Sequence, residues 1–205
     1  TIMSVAGALT IGFVGLIVGL YIYAENLFDK FIRDTFELTG TVRLVSVNFA
    51  EPESLADEVM SIYRGLSEEE RSGIGSDAYH DYFDKIREHR DYQTLYKVMK
   101  DLAVLNDVDD VYYAVYDRDT SALVYIVDPD IRNGYIKGPG DWESVDTKEL
   151  NIFLGWDGTG IPHYSYIGGQ DPWVCTVGAP VGDENSGCRG YILADFTLDD
   201  MKLKG

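Results

Sequence analysis

Basic residues are scarce, with 17 Lys and Arg against 35 Asp and Glu, a formal net charge of −18 over 205 residues. A surface that acidic repels phosphate backbones and anionic lipid headgroups, which excludes nucleic-acid binding. It suits a solvated face outside a cell. Cysteine is nearly absent too: Cys175 and Cys188 make one bridge at most, so no disulfide framework holds the chain together. The three histidines, His80, His89 and His163, stand in no setting that pairs a base with a nucleophile. G-x-S-x-G, H-E-x-x-H, C-x-x-C, P-loop and G-x-G-x-x-G patterns are all missing. A Cys175/His163 pair is conceivable, but Cys175 falls on the apolar side of a strand. Asp157-Gly158-Thr159-Gly160 reads as a glycine turn, because its Asp is not followed directly by Thr-Gly. The acidic loop of Asp128, Asp130, Asn133 and Gly134 misses the EF-hand spacing by one residue and carries Pro139 where the bidentate Glu belongs. No catalytic residue, metal site or cofactor is therefore assigned, and the chain itself is not expected to be an enzyme. Binding remains the better role.

What is present begins with an uncharged run from Ile2 to Tyr23, 22 residues rich in Val, Leu, Ile and Gly. At about 1.5 Å rise per residue this covers roughly 33 Å, the thickness of a bilayer's hydrocarbon core. A secretory signal has a shorter apolar region, about 7 to 15 residues, and no A-x-A site precedes Glu25. Residues 1–24 are thus expected to be a transmembrane helix and the acidic remainder to lie outside the cell. Small residues at Gly15 and Gly19 form a GxxxG on which two copies can approach closely.

From Glu25 onward the apolar residues fall into a seam, Phe28, Phe31, Thr35, Leu38, Val42, Val45 and Phe49, spaced alternately by three and four. This predicts a stalk helix over 25–50. The seam suits either a homodimer contact or the stripe by which one long helix packs on its own domain. Pro52, followed by acidic residues that favour a helix start, opens a second helix to about Leu66. Ser67 to Gly75 breaks it. A third helix begins under a Ser76 or Asp77 cap, with a break near Arg90-Asp91, and ends at Asn106-Asp107.

At Val108 the period changes to two. Val111–Tyr116 and Ala122–Val127 flank a turn and form a hairpin; pairing Tyr116 with Ala122 sets Tyr113 opposite Tyr125. Asp128 to about Pro172 reads as a long glycine-rich loop carrying Trp142 and Trp156, the kind of segment that walls a binding site. Trp173–Val181 and Cys188–Phe196 form the last hairpin. With Val181 opposite Cys188, one face is apolar (Trp173, Cys175, Val177, Ala179, Ile192, Ala194, Phe196) and the other carries Thr176, Gly178, Tyr191, Leu193 and Asp195. Cys175 then lies opposite Ala194, roughly 20 Å from Cys188, and both thiols are free.

The order anchor, stalk, helical layer, the hairpin VYYAVYDRDTSALVYIVDPD, a long loop and PWVCTVGAPVGDENSGCRGYILADFTLDDM resembles the bacterial extracytoplasmic Cache, or PAS-like, sensor domain. The likeness spans about residues 25 to 200. Its most specific part is Ala179-Pro180-Val181, a polar glycine-containing turn, and a strand closing on Asp195-Phe196. It departs from the amino-acid-binding subclass, whose Tyr, Arg and Trp-Tyr cluster has no match around Tyr125 to Trp142. The resemblance implies an α+β fold with a central antiparallel sheet over 51–200. It implies that 201–205 connects to a second membrane helix and a cytoplasmic output beyond the chain. It implies a small-molecule partner and leaves its class open among amino acids, amines and carboxylates, while Gly15/Gly19 and the seam point to a homodimer in the membrane. The polar and aromatic residues nearest the glycine-rich wall are Tyr113, Tyr125, Arg132, Trp142, Tyr164, Trp173 and Asp195. Arg132 is suited to a carboxylate and Asp195 to an amine, so a zwitterion or small carboxylate is the expected ligand.

Overall fold

In the computed structural model, residues 2–106, 108, 110–129, 137–168, 171–182 and 190–204 are described. The chain is α+β, a long N-terminal helix followed by a six-stranded antiparallel sheet with helices. Helix α1 runs unbroken over Ile2–Phe49. Its exposed apolar part, from Ile11 on, is long and apolar enough to cross a membrane. An apolar helix of this kind joined to an α+β domain fits a membrane anchor carrying a soluble domain.

Beyond Glu25 the seam of α1 turns onto the chain's own sheet. Phe31 and Ile32 pack with Cys175, Val177, Phe196 and Met201, flanked by Phe28, while Val42 joins the main core, flanked by Leu38. Of the two roles open to the seam, packing on its own domain is the one it fills. Phe49, at its end, stays exposed. The buried polar residue Thr39 closes its hydroxyl onto Phe36 O at 2.9 Å, and Arg43 reaches Pro180 O on the sheet at 3.2 Å.

Helix α2 (Pro52–Gly65) starts on Pro52 as expected and buries Leu55, Ala56, Val59, Met60 and Tyr63. The predicted break holds a further turn, α3 (Glu68–Ser72), closed by a capping box in which the Ser67 side chain and the Glu70 carboxylate satisfy each other's backbone N–H. Ser76 caps α4 (Asp77–His80); a 3-10 turn (Asp81–Phe83) and α5 (Asp84–Glu88) follow, and α6 (Arg90–Asn106) starts beside the expected break. Gly140, at φ +82°, passes against the Phe83 ring so closely that a Cβ would collide with it. Only glycine serves there.

The strands are β1 (Asp110–Asp117), β2 (Ala122–Val127), β3 (Trp142–Ser144), β4 (His163–Gly168), β5 (Asp171–Val181) and β6 (Gly190–Thr197), in the order β3-β2-β1-β6-β5-β4. The segment expected to be loop from Asp128 to Pro172 thus supplies two strands, and between them α7 (Thr147–Leu154). A last helix, α8 (Leu198–Lys204), follows β6.

Both hairpin registers differ from expectation. In β1/β2, Asp117 pairs with Ala122 and Tyr116 with Leu123, one residue away from Tyr116 opposite Ala122. The Asp117 carboxylate accepts from Thr120 N at 3.1 Å and Thr120 Oγ1 at 2.6 Å, so the turn closes on Asp117. A one-residue slip exchanges faces. Ala114, not Tyr113, stands opposite Tyr125, and Tyr113 and Tyr125 point to opposite sides of the sheet. In β5/β6, Val181 pairs with Gly190 and Cys175 with Phe196. That slip is two residues, so the expected faces survive it. Cys175 is free and buried; Cys188 lies outside the described residues.

Candidate functional site

The two sides of the sheet differ in chemistry. One packs Val111, Tyr113, Val115, Val124, Ile126 and Ile192 against the helical layer. The other carries Tyr112, Tyr116, Leu123, Tyr125, Tyr191 and Leu193 and is only partly roofed by α7. Phe153 of α7 stacks on Tyr116 at 4.7 Å and meets Tyr191 edge-on at 5.1 Å, and Tyr191 donates to Phe153 O at 2.5 Å. The roof seats this low because Gly178 lies beneath it: a Cβ there would stand 2.6 Å from Leu193, 3.0 Å from Tyr191 and 3.3 Å from Phe153. Beside α7 a cleft of about 460 Å³ stays open, bordered by Tyr112, Glu143, Asp146, Glu149, Tyr164 and Thr176. That volume suits a small metabolite.

Four carboxylates face this region, each held by one tyrosine hydroxyl. Tyr116 donates to Glu149 at 2.9 Å, Tyr125 to Glu143 at 3.0 Å, Tyr112 to Asp195 at a long 3.4 Å, and Tyr164 to Asp146 in a short bond. The tyrosines arrive by alternation along β1, β2 and β4. Glu143 lies opposite Leu123 in register, and Asp195 opposite both Thr176 and Asp110. Asp146 caps α7 through Glu149 N at 2.8 Å, with Glu149 one turn on.

Burial pushes Glu149 up to about 7, against the Tyr116 bond that favours its ionised form; Glu143, Asp146 and Asp195 add like charge. Burial also pushes Asp195 up to about 7, opposed by hydrogen bonds from Thr176 and Tyr112, with Glu143 and Asp128 adding repulsion. Asp195 keeps some accessible surface, but it is enclosed between β1 and β5, and desolvation prevails. Asp146 is held below the usual carboxylate range by the Tyr164 hydroxyl and the α7 backbone. Burial raises Tyr112, Tyr116 and Tyr125 well above an ordinary phenol, so all three stay protonated donors. The described cations nearby lie over rings: Lys137 sits 5.5 Å from the Tyr125 ring centre and Lys148 5.6 Å from that of Tyr164.

Of the residues singled out in the sequence, Tyr125, Tyr164 and Asp195 come together here. Tyr113 is buried on the opposite side, its hydroxyl donating to Pro52 O at 3.2 Å. Trp142 also lies on that side, beside Tyr63, with its indole N–H on Arg71 O at 3.1 Å. Trp173 packs between Phe28 and Phe196 against α1. Arg132 falls outside the described residues, as do Asp130, Asn133 and Gly134 of the considered metal loop. Sequence reading missed Tyr112, Tyr116, Glu143, Asp146, Glu149 and Tyr166. Asp146-Thr147-Lys148-Glu149 carried a signal, an N-cap three residues before a Glu. The alternation His163-Tyr164-Ser165-Tyr166 carried another, period two.

Other groups were weighed. His163 Nδ1 lies 3.0 Å from Ile161 O, and Cys175 is hydrogen-bonded to Ser165 with its thiol pushed up to about 11 by burial, so they form no nucleophile–base pair. His80 Nε2 stands 3.0 Å from Asp141, which also takes Gly138 N at 2.6 Å. Asp157 accepts from Thr159 N and Oγ1, a local turn. Among the described residues no three His, Cys, Asp or Glu side chains converge as a metal site. A smaller cavity of about 250 Å³ between α1, the end of α6 and β6 mixes Lys30, Asp34 and Asp195 with Phe31 and Leu38, so Asp195 borders this cavity and reaches the cleft beside α7 only through Tyr112 and Thr176. No protein-family model matches the chain, and no curated protein matches it.

Proposed function

We propose that the chain is the extracytoplasmic sensing part of a bacterial membrane-bound signal transducer of the Cache type, and not itself an enzyme. On this reading it binds a small polar metabolite in the cleft beside α7. It passes the resulting change along α1, through the bilayer, to a cytoplasmic output domain. One observation carries the proposal: a cleft lined by oriented polar groups on one side of a sheet whose other elements are packed onto a helix continuous with an apolar span. A homodimer is part of the reading. Its contact would use the face of α1 turned away from the sheet, where Leu44 and Val47 are exposed, rather than Leu38, which packs on its own core.

The test is a thermal-shift screen of the whole chain in phosphatidylcholine nanodiscs against amino acids, short carboxylates and amines. A ligand that raises the unfolding midpoint of the wild type but not of Val145→Trp, a plug on the cleft side of the sheet, supports the site. A ligand that stabilises both equally places binding elsewhere. Orientation is checked on whole cells: a cysteine at Asp119 should react with a membrane-impermeant maleimide, and protection until lysis would reverse the assigned side.

A further inference from the structure

Three strand ends meet beside the end of the apolar run of α1. Tyr166, Val174 and Thr197 form one cross-strand row over β4, β5 and β6. One residue further stand Ile167, Trp173 and Leu198. Trp173 turns onto α1, its ring centre 5.8 Å from that of Phe28, whereas Ile167 is 82% exposed and Leu198 45% exposed. With Tyr166 they are the exposed large apolar side chains among the described residues of β4, β5, β6 and α8. Resting on α1 crossing the bilayer, we propose that this patch of Tyr166, Ile167 and Leu198 docks on the headgroup layer of the same membrane, its partner a neutral, zwitterionic phospholipid surface.

The depth of the patch follows from lengths. Phe28 lies five residues past Tyr23, where the uncharged run ends, or about 8 Å along the helix. A headgroup layer is about 5–8 Å thick on each side of the hydrocarbon. Strand β5 leads away from the membrane: it passes from Trp173 at Phe28 to Pro180, whose carbonyl takes Arg43 at 3.2 Å, and the seven strand residues and fifteen helical residues between these contacts each measure about 23 Å. Strand β4 is antiparallel to it and so runs toward the membrane. His163 already touches Phe28, 6.1 Å between ring centres, and Ile167 lies four residues beyond. Both routes bring Ile167 to the level of Phe28 or closer to the apolar run. Tyr21 and Tyr23, exposed at the end of that run, put aromatic side chains of α1 at the same boundary, a place tyrosine favours because its ring is apolar and its hydroxyl wet.

Two other covers compete for the patch. An anionic lipid surface would face Glu25 and Asp29 on α1 and Asp199 and Asp200 on α8, like charges that bracket it, and Lys30, their basic neighbour on α1, stands 3.8 Å from Asp34. A second copy held along the exposed face of α1 meets Leu44 and Val47, more than fifteen residues along the helix from Phe28. The neutral bilayer surface needs no further recruitment, since α1 holds it within reach.

The experiment uses the whole chain carrying Cys188→Ser, with Cys175 buried and out of reach, in phosphatidylcholine nanodiscs at one chain per disc. Single cysteines replacing Ile167, Leu198, Asp119 or Val14 carry a small fluorophore, and the lipid carries a nitroxide quencher on its headgroup or midway along its acyl chain. Labels at 167 and 198 should lose about half of their emission or more to the headgroup nitroxide, because they share its layer, while a label at 119, on the turn at the opposite end of the sheet, should lose none. A label at 14 should be quenched by the acyl-chain nitroxide; if it is not, α1 does not span and the reading beneath the proposal fails. If 14 is quenched and 167 is not, docking alone is overturned. Ile167→Asp with Leu198→Asp, both at exposed positions, should return a label at 166 to the brightness of the one at 119. Unchanged quenching at 166 in that variant would mean that α1 imposes the proximity and the patch holds nothing, which also overturns docking. Replacing half of the lipid by phosphatidylserine should weaken quenching at 167, and a stronger signal would overturn the choice of a neutral surface. A spectral shift at 167 that needs two chains per disc, without quenching at one, gives the patch to a second copy instead.

Discussion

The two sides of one sheet were built for different ends, although alternate residues of the same strands make them. The side facing α2, α5 and α6 is filled by Val111, Val115, Val124, Ile126 and Ile192, with Leu95, Met99 and Ile86 from the helices, all fully or nearly fully buried. Its hydroxyl-bearing residue Tyr113 spends its one donor on a backbone carbonyl. The α7 side buries tyrosines whose hydroxyls point at carboxylates, and it raises two of those carboxylates far above their ordinary values. Apolar packing stabilises in proportion to area removed from water, whereas a buried acid costs free energy unless its charge is answered. One face holds the sheet together, and the other holds acids whose ionisation burial opposes.

The sharpest way to break this contrast is truncation on the packed side. Leu95→Ala or Met99→Ala should cost about 2–5 kcal/mol, read as a lower denaturation midpoint in urea. A loss below about 1 kcal/mol would mean that the helical layer is not the main core. Next in size is Asp117→Asn. Arg64 Nη2 stands 2.6 Å from this fully buried carboxylate, which also closes the Thr120 turn. Arg64 is itself partly exposed, so solvent screens the pair and the loss should be about 1–2 kcal/mol, most of it from the Thr120 turn bonds. An unchanged midpoint would assign the register to side-chain packing instead of the turn.

The acidic side predicts a pH effect of smaller size and opposite sense from ordinary carboxylates. Asp195 and Glu149 have raised pKa values in the folded chain, so between about 4 and 7 the folded state holds protons that the unfolded state has released. Stability from these groups therefore falls as pH rises through that window and is flat above it. The thermal midpoint of the ligand-free chain should drop by a few degrees from pH 5.5 to pH 8, and the double variant Asp195→Asn, Glu149→Gln should flatten the slope. A wild-type midpoint that rises over the same window would remove the reason for treating these acids as strained. Smallest is Tyr113→Phe, expected to cost about 1 kcal/mol by leaving Pro52 O without this donor. Tyr164→Phe, which removes the hydroxyl held by the α7 cap Asp146, should lower the urea midpoint only slightly.

How far the chain could be read without coordinates follows the length of its elements. The helix over Ile2–Phe49 announced itself by an uncharged run and a seam of seven residues, and α2 by Pro52 and its acidic start. Short elements say little: β3 has three residues, too few for periodicity, and α7, with eight, shows only its Asp146 cap and Glu149. The site suffered more than the fold, because its membership turns on parity. Asp117 was counted as turn rather than as the residue that closes it, and this single step moved Tyr113 into the core and brought Tyr112 and Tyr116 to the cleft. Asp195 is recoverable because a two-residue shift in the last hairpin leaves faces intact. Trp142 and Trp173 drew attention by size, yet large aromatics fill cores as readily as they line pockets.

Helix α1 has a mechanical consequence of its own. A rod of 48 residues at about 1.5 Å each is roughly 72 Å long, and it contains no proline and no interruption in its helical run. Phe31 and Ile32 rivet it to Val177 and Phe196, which neighbour Thr176 and Asp195 along β5 and β6. A rod without a hinge stores little bending on the way. Tilt or rotation imposed at the rivets would reach the apolar end at nearly full amplitude, scaled by the ratio of the arms, so that a sub-ångström shift of two strands would be geared up along the rod.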